Sequence, residues 1–146
     1  MNIQSALKRR CRRLPATIAA AALLALTTTA LAEQVRVTLS GDAEVPAVET
    51  KATGMGVITV GVDDSIAGSV RTSGVAATMA HIHVGAAGKS GPVAIPLIRE
   101  GDNGWAVPPN TKLTPEQMKA FKAGDLYVNV HSAAHPAGEI RGQLKP

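Results

Sequence analysis

Short runs of alternating apolar and polar residues recur from residue 34 to the C-terminus, and glycine or proline closes nearly every one. No other feature constrains the fold as tightly. Successive side chains of a strand point to opposite faces, so a run of period two has one apolar face to bury. In Gln34 to Leu39, Val35, Val37 and Leu39 share one face, and Gln34, Arg36 and Thr38 the other. Val57-Ile58-Thr59-Val60 is a β-branched run closed by Gly61 and the Asp63-Asp64 turn pair. Residues 65–70 resume after that turn, which predicts a hairpin. Further strands are predicted over 81–84, 93–98, 126–130 and 139–144. Pro96 interrupts the run 93–98, so that strand belongs at an edge or carries a bulge.

One segment breaks the pattern. Thr114-Pro115-Glu116-Gln117 supplies an N-cap, a proline at the first helical position and a Gln placed for a capping box. Gly124 stops the helix, which is predicted over Thr114 to Ala123. Short strands with one brief helix predict an all-β fold, an antiparallel Greek-key-like β-sandwich with one short helix. Its core is aliphatic, because Trp105, Phe121 and Tyr127 are the only aromatic residues.

The first thirty-two residues read as a cleavable signal peptide. Lys8, Arg9, Arg10, Arg12 and Arg13 form a cationic start, residues 14–30 carry no charge, and Ala30-Leu31-Ala32 is a small-x-small cleavage site. The expected mature chain starts at Glu33 and is periplasmic or secreted. The alternative is a membrane anchor. The apolar stretch falls short of the ~20 residues of a span, and no stop-transfer charges follow it. The arginine pairs leave general and twin-arginine export both open.

Removing the leader changes the charge. The whole chain has 15 basic and 11 acidic residues. Five of the basic ones lie in the leader, leaving ten against eleven and a net of −1. The basicity of the full chain is thus no argument for nucleic acid or for a membrane surface. Cys11, the single cysteine, also precedes the cleavage site, so the mature domain is expected to lack a disulfide.

All four histidines fall into two clusters, His81 with His83 and His131 with His135. Strand geometry turns His81 and His83 to the same side, and Met79 joins them if the strand begins that early. Two imidazoles from one strand and more from a neighbour are a workable set for copper or zinc, and a thioether would favour Cu(I). The same histidines could instead hydrogen-bond backbone groups at a strand end. Glu44 is a ligand, an acid/base group or an acceptor of backbone amide bonds, and the last is preferred. Glu139 and Arg141 suggest an ion pair or bonds to loop carbonyls. Gly85, Gly88 and Gly91 suggest a tight turn, and the Gly-Lys-Ser at 88–90 lacks Walker spacing.

Three motifs in order resemble the CHRD domain, the module named after chordin and also found in bacterial secreted proteins. The opening one is Leu39-Ser40-Gly41, Glu44-Val45-Pro46, Val48, Thr50, Ala52 and Gly54. The central one is Ala80-His81-Ile82-His83-Val84-Gly85 with Gly88, Gly91-Pro92-Val93 and Leu97. The closing one is Tyr127-Val128-Asn129-Val130-His131-Ser132, Pro136 and Gly138-Glu139-Ile140-Arg141-Gly142-Gln143-Leu144. With the leader read over 1–32, the resemblance implies one CHRD domain over 33–146.

A more distant resemblance to copper/zinc superoxide dismutases matches His81, His83 and His131 to three copper ligands. The chain departs from that family in having no bridging histidine, no zinc-ligand cluster and no disulfide. The resemblance therefore implies copper binding rather than dismutation. The expected function is non-catalytic metal binding through His81, His83, His131 and His135, with copper favoured and zinc the alternative. A protein-interaction module with structural histidines stays open, as does a dismutase-like redox enzyme. A protein partner is left unnamed, and neither nucleic acid nor membrane insertion after cleavage is expected.

Overall fold

The computed structural model describes residues 32–146. The expected leader through Leu31, Cys11 included, lies outside them. The described residues form nine strands, one α-helix and a single 3-10 turn at Gly41–Ala43. The strands are β1 (Glu33–Ser40), β2 (Thr53–Val60), β3 (Ile66–Ser73), β4 (Ala77–Val84), β5 (Val93–Pro96), β6 (Ile98–Glu100), β7 (Gly104–Ala106), β8 (Leu126–Ser132) and β9 (Ile140–Leu144). The helix, α1 (Pro115–Lys122), precedes β8.

All pairings are antiparallel, and the strands form one sheet in the order β5-β4-β8-β9-β1-β2-β3-β7-β6. Its two end strands, β5 and β6, are separated in the chain by Leu97 alone. A single residue cannot span an open nine-stranded sheet, so the sheet curls until its ends meet. Leu97 N–H donates to Ala80 O at 2.9 Å, and the Arg99 guanidinium donates to Ala77 O, tying the β6 end back to β4. The expected antiparallel fold with one short helix is thus realised as a nearly closed, barrel-like sheet whose opposite walls face each other as sandwich layers do. The order β9-β1-β2-β3 lays the last strand beside the first, in Greek-key fashion.

The alternation read in β1 holds. Val35, Val37 and Leu39 are buried, and Gln34, Arg36 and Thr38 are exposed. Ile58, Val60, Ile66, Val70, Ala80, Ile82, Leu126, Val128, Val130, Ile140 and Leu144 complete the same interior. Each fully buried branched side chain contributes roughly 1.5–3 kcal/mol relative to exposure. The β2–β3 hairpin closes as expected, with Gly61 N–H donating to Ser65 O at 2.7 Å. Thr114 Oγ1 accepts from Gln117 N–H at 3.2 Å while Gln117 Oε1 accepts from Thr114 N–H at 2.9 Å, completing the capping box. Phe121 seats the helix on the core.

Three features depart from the sequence reading. The run 93–98 divides at Leu97 into two strands at opposite ends of the sheet. β5 is an edge as Pro96 demanded, and the register shifts opposite it between Ile82 and His83. β4 starts at Ala77, which brings Met79 into the strand. β7 escaped notice because three residues are too few to show a period. It forms because Trp105 pairs with Val70 of β3 and is buried there.

Candidate metal centre

The inner face of β4, β8 and β9 is apolar, but the outer face is not bare. On β4 it carries Met79, His81 and His83. On β8 it carries Tyr127, Asn129 and His131, and on β9 Arg141 and Gln143. Cross-strand register sets His83 beside Tyr127, His81 beside Asn129 and Met79 beside His131. Asn129 in turn faces Arg141, and Tyr127 faces Gln143. All seven residues of β8 are buried, so its polar face is covered as well as its apolar one.

The cover is loop, and side chains of this face hold it down. Tyr127 Oη accepts from Gly91 N–H at 3.1 Å. Arg141 Nη2 donates to Ala86 O and Lys89 O at 3.3 and 2.6 Å. Gln143 Nε2 donates to Gly85 O and Gly124 O at 2.9 and 2.7 Å. Gly91 must be glycine, because a Cβ there would overlap the Val84 carbonyl. The loop 85–92 is thereby pressed onto the sheet with the Gly91 carbonyl over His83.

Three imidazoles meet beneath this cover. One ring nitrogen from each of His81, His83 and His131 lies within 4.8 Å of the others. Nitrogens bound to one ion at ~2.0–2.1 Å stand at most about 4.2 Å apart, so a small side-chain adjustment makes this a ligand set. Among the described residues no Cys, Asp or Glu joins the group.

Hydrogen bonds orient the rings. His83 Nδ1 lies 2.9 Å from Gly91 O, and His131 Nδ1 lies 3.1 Å from Pro136 O. A carbonyl only accepts, so both rings carry their proton on Nδ1 and turn an Nε2 lone pair the other way. His131 Nε2 then accepts from His81 Nδ1 at 3.0 Å. His83 Nε2 is buried with no hydrogen-bond partner. Carbonyl-oriented imidazoles of this kind are the usual outer support of a metal-ligating histidine.

The rings are held neutral. Burial is the leading cause that lowers all three pKa values below 6.5, and charge repulsion adds to it. His81 feels His131 and then His83, His83 feels Arg141, and His131 feels His83. The bonds to Gly91 and Pro136 oppose the shift at His83 and His131.

This sets an acid limit on the metal-free fold. The unfolded chain protonates its histidines near pH 6.5, the folded chain only at lower pH, so between those values the unfolded state binds more protons. The histidine contribution is complete above about pH 6.5 and is lost as pH falls. Glu44 acts with the opposite sign, since burial raises its carboxyl above 4.5 and acidification there favours the folded form. Between about pH 7.5 and 5.5 the histidines of the unfolded chain take up protons while its carboxyls stay ionised, so the rings set the direction over that range. Thermal melts without metal are expected to give a lower midpoint at pH 5.5 than at pH 7.5, and a higher one would contradict the neutral state of the rings.

The remaining candidates are placed elsewhere. His135 is not in the three-histidine group. It lines a cleft with Glu44, Val45, Pro46 and Pro136, and its carbonyl accepts from Gly138 N–H at 3.1 Å. Glu44 is buried and accepts from Asn129 Nδ2 at 3.1 Å. Glu139 accepts from Thr50 Oγ1 at 2.9 Å, and Arg141 takes the loop carbonyls, the second of its two expected roles. Sequence reasoning missed Tyr127, whose ring stacks on His83 with centroids 4.9 Å apart and planes 9° apart. Its place in period with Asn129 and His131 was the available signal.

The sequence profile of the CHRD domain matches residues 35–144, and the chain belongs to that family. No curated protein and no solved structure matches it.

Proposed function

We propose that this CHRD domain is an exported metal-binding protein that holds one ion, copper in preference to zinc, between His81, His83 and His131. The observation that carries the reading is the buried, unpartnered Nε2 of His83 beside two other imidazoles. A buried acceptor with no partner costs about 1–3 kcal/mol, and an ion at that point would remove the cost. The free lone pairs are those at Nε2 of His83 and of His131, and His81 joins through Nδ1 once its proton moves to Nε2 and the bond to His131 gives way to the ion. An all-imidazole set suits copper and zinc, and copper stands above zinc in affinity for such donors. Export follows from the leader read at residues 1–32. The role is custody of the ion, in handling or storage.

A second reading has one observation of its own. The hydrogen bond between His81 and His131 ties two of the three rings together without any ion. On that reading the histidines are structural and the domain is an interaction module.

Titration calorimetry of the exported protein with Cu²⁺, Cu⁺ and Zn²⁺ separates the two. One ion per chain is expected, with copper tightest and affinity falling only in the acid range under 6.5 where the folded rings take up protons. Absence of binding by all three ions would leave the interaction module standing.

A further inference from the structure

We propose that the site is built for monovalent copper, with the thioether of Met79 at its mouth and the buried guanidinium of Arg141 behind it setting that preference. The inference rests on the metal-binding reading and goes beyond it in naming the oxidation state and the two residues that select it.

The donors come first. Among the described residues the group contains three imidazoles and no carboxylate. A divalent ion there would keep its full charge in a half-buried place with no anionic ligand. The penalty for removing charge from water rises steeply with that charge, so neutral donors under a loop favour the monovalent ion.

Arg141 adds to this. The residue is 2% exposed. Its Cζ lies 3.4 Å from the centre of the Tyr127 ring, which itself stacks on His83. Nη2 is taken by two loop carbonyls, whereas Nη1 is buried with no partner. Among the described residues no carboxylate lies within ion-pairing distance of it. Glu44 is the acidic group nearest in effect, and its own ionisation is discouraged by burial. A fixed positive charge therefore faces the site across one aromatic ring. In a protein-like dielectric a fixed charge about 10 Å from an ion changes its affinity roughly tenfold for each added unit of charge on the ion.

Met79 supplies the third observation. Strand alternation puts it on the face of His81 and His83, and the β4–β8 register sets it opposite His131. It is 46% exposed, a large apolar side chain left at the edge of an otherwise covered cluster. A thioether is a soft, neutral donor that selects Cu(I) over zinc and Cu(II). No other residue type at that position would extend a three-imidazole set toward Cu(I) without adding charge or a reactive thiol.

The test measures affinities for Cu(I), Cu(II) and Zn(II) separately, by competition with chromophoric chelators, the cuprous series under anaerobic ascorbate. The wild-type protein is expected to bind Cu(I) most tightly. Met79→Leu keeps the apolar bulk and is expected to weaken Cu(I) about tenfold while leaving Cu(II) and Zn(II) within about twofold. Arg141→Gln is expected to move the Cu(I)/Cu(II) ratio about tenfold toward Cu(II), a fall of about 59 mV in potential for one electron. Arg141→Lys keeps the charge and is expected to hold the ratio. Because Arg141 is buried, Met79→Leu decides the matter if the arginine variants do not fold. Tighter binding of Cu(II) or Zn(II) by the wild type, or no selective loss of Cu(I) in Met79→Leu, overturns the preference and leaves metal binding intact. Failure to bind any of the ions overturns both.

Discussion

In the His83→Ala variant the melting temperature is expected to stop responding to metal. An ion held only by the folded state stabilises it by about 2.7 kcal/mol at a free concentration of 100 Kd. For a domain of this size that is a rise of roughly 10 °C in the wild type. His83 is the informative ligand because its outward nitrogen is the buried one without a partner. Its removal also loses the stack on Tyr127 and the bond to Gly91. The variant therefore starts about 1–3 kcal/mol less stable, and the readout is the difference with and without metal. A full metal-induced rise in His83→Ala would place the ion elsewhere. If the wild type itself shows no rise, the histidines are structural.

Ile82→Ala is expected to cost about 2–5 kcal/mol, against under about 0.5 for Met79→Ala, three positions away on the same strand. Ile82 is 0% exposed and lies between two candidate ligands, pointing into the barrel where they point out. Against a total stability of typically ~5–15 kcal/mol, that loss is a large fraction. Urea unfolding of the two variants measures it. The comparison tests the register of β4 as well as its packing, since a slip of one residue would exchange the two faces. A costly Met79→Ala beside a mild Ile82→Ala would mean that the histidines face the core.

Both outcomes turn on features that differ in how openly the chain displays them. The two faces of β1 and β4 were legible from the order of residues, because alternation is a local property of an extended backbone. Helix α1 was legible for the same reason. Thr114, Pro115 and Gln117 act on one another within a single turn, and the observed caps fall at Thr114 and Ala123 as read. The split of 93–98 was half visible. Pro96 signalled an edge, but a sheet curled far enough for Leu97 to bridge its two ends is a property of all nine strands together.

The site shows the same division. That His81 and His83 share a side follows from their spacing of two. That His131 joins them, and His135 does not, depends on the β4–β8 register that sets Met79 opposite His131. The orientation of the rings depends on two carbonyls, of Gly91 and Pro136, whose positions come from loops folded back over the sheet. Arg141 was read with Glu139 as an ion pair or a loop-binding group, and only the packed loop 85–92 decided between them.

By itself, then, the sequence determined the longer strands, the helix, the inward set of aliphatic residues and the pair of histidines on one strand face, because these rest on contacts between near neighbours in the chain. The tertiary structure decided the closure of the sheet, the third imidazole, the direction of each lone pair and the buried charge behind Tyr127. Each of those brings together groups tens of residues apart, and nothing short of the folded backbone specifies which of the possible partners they meet.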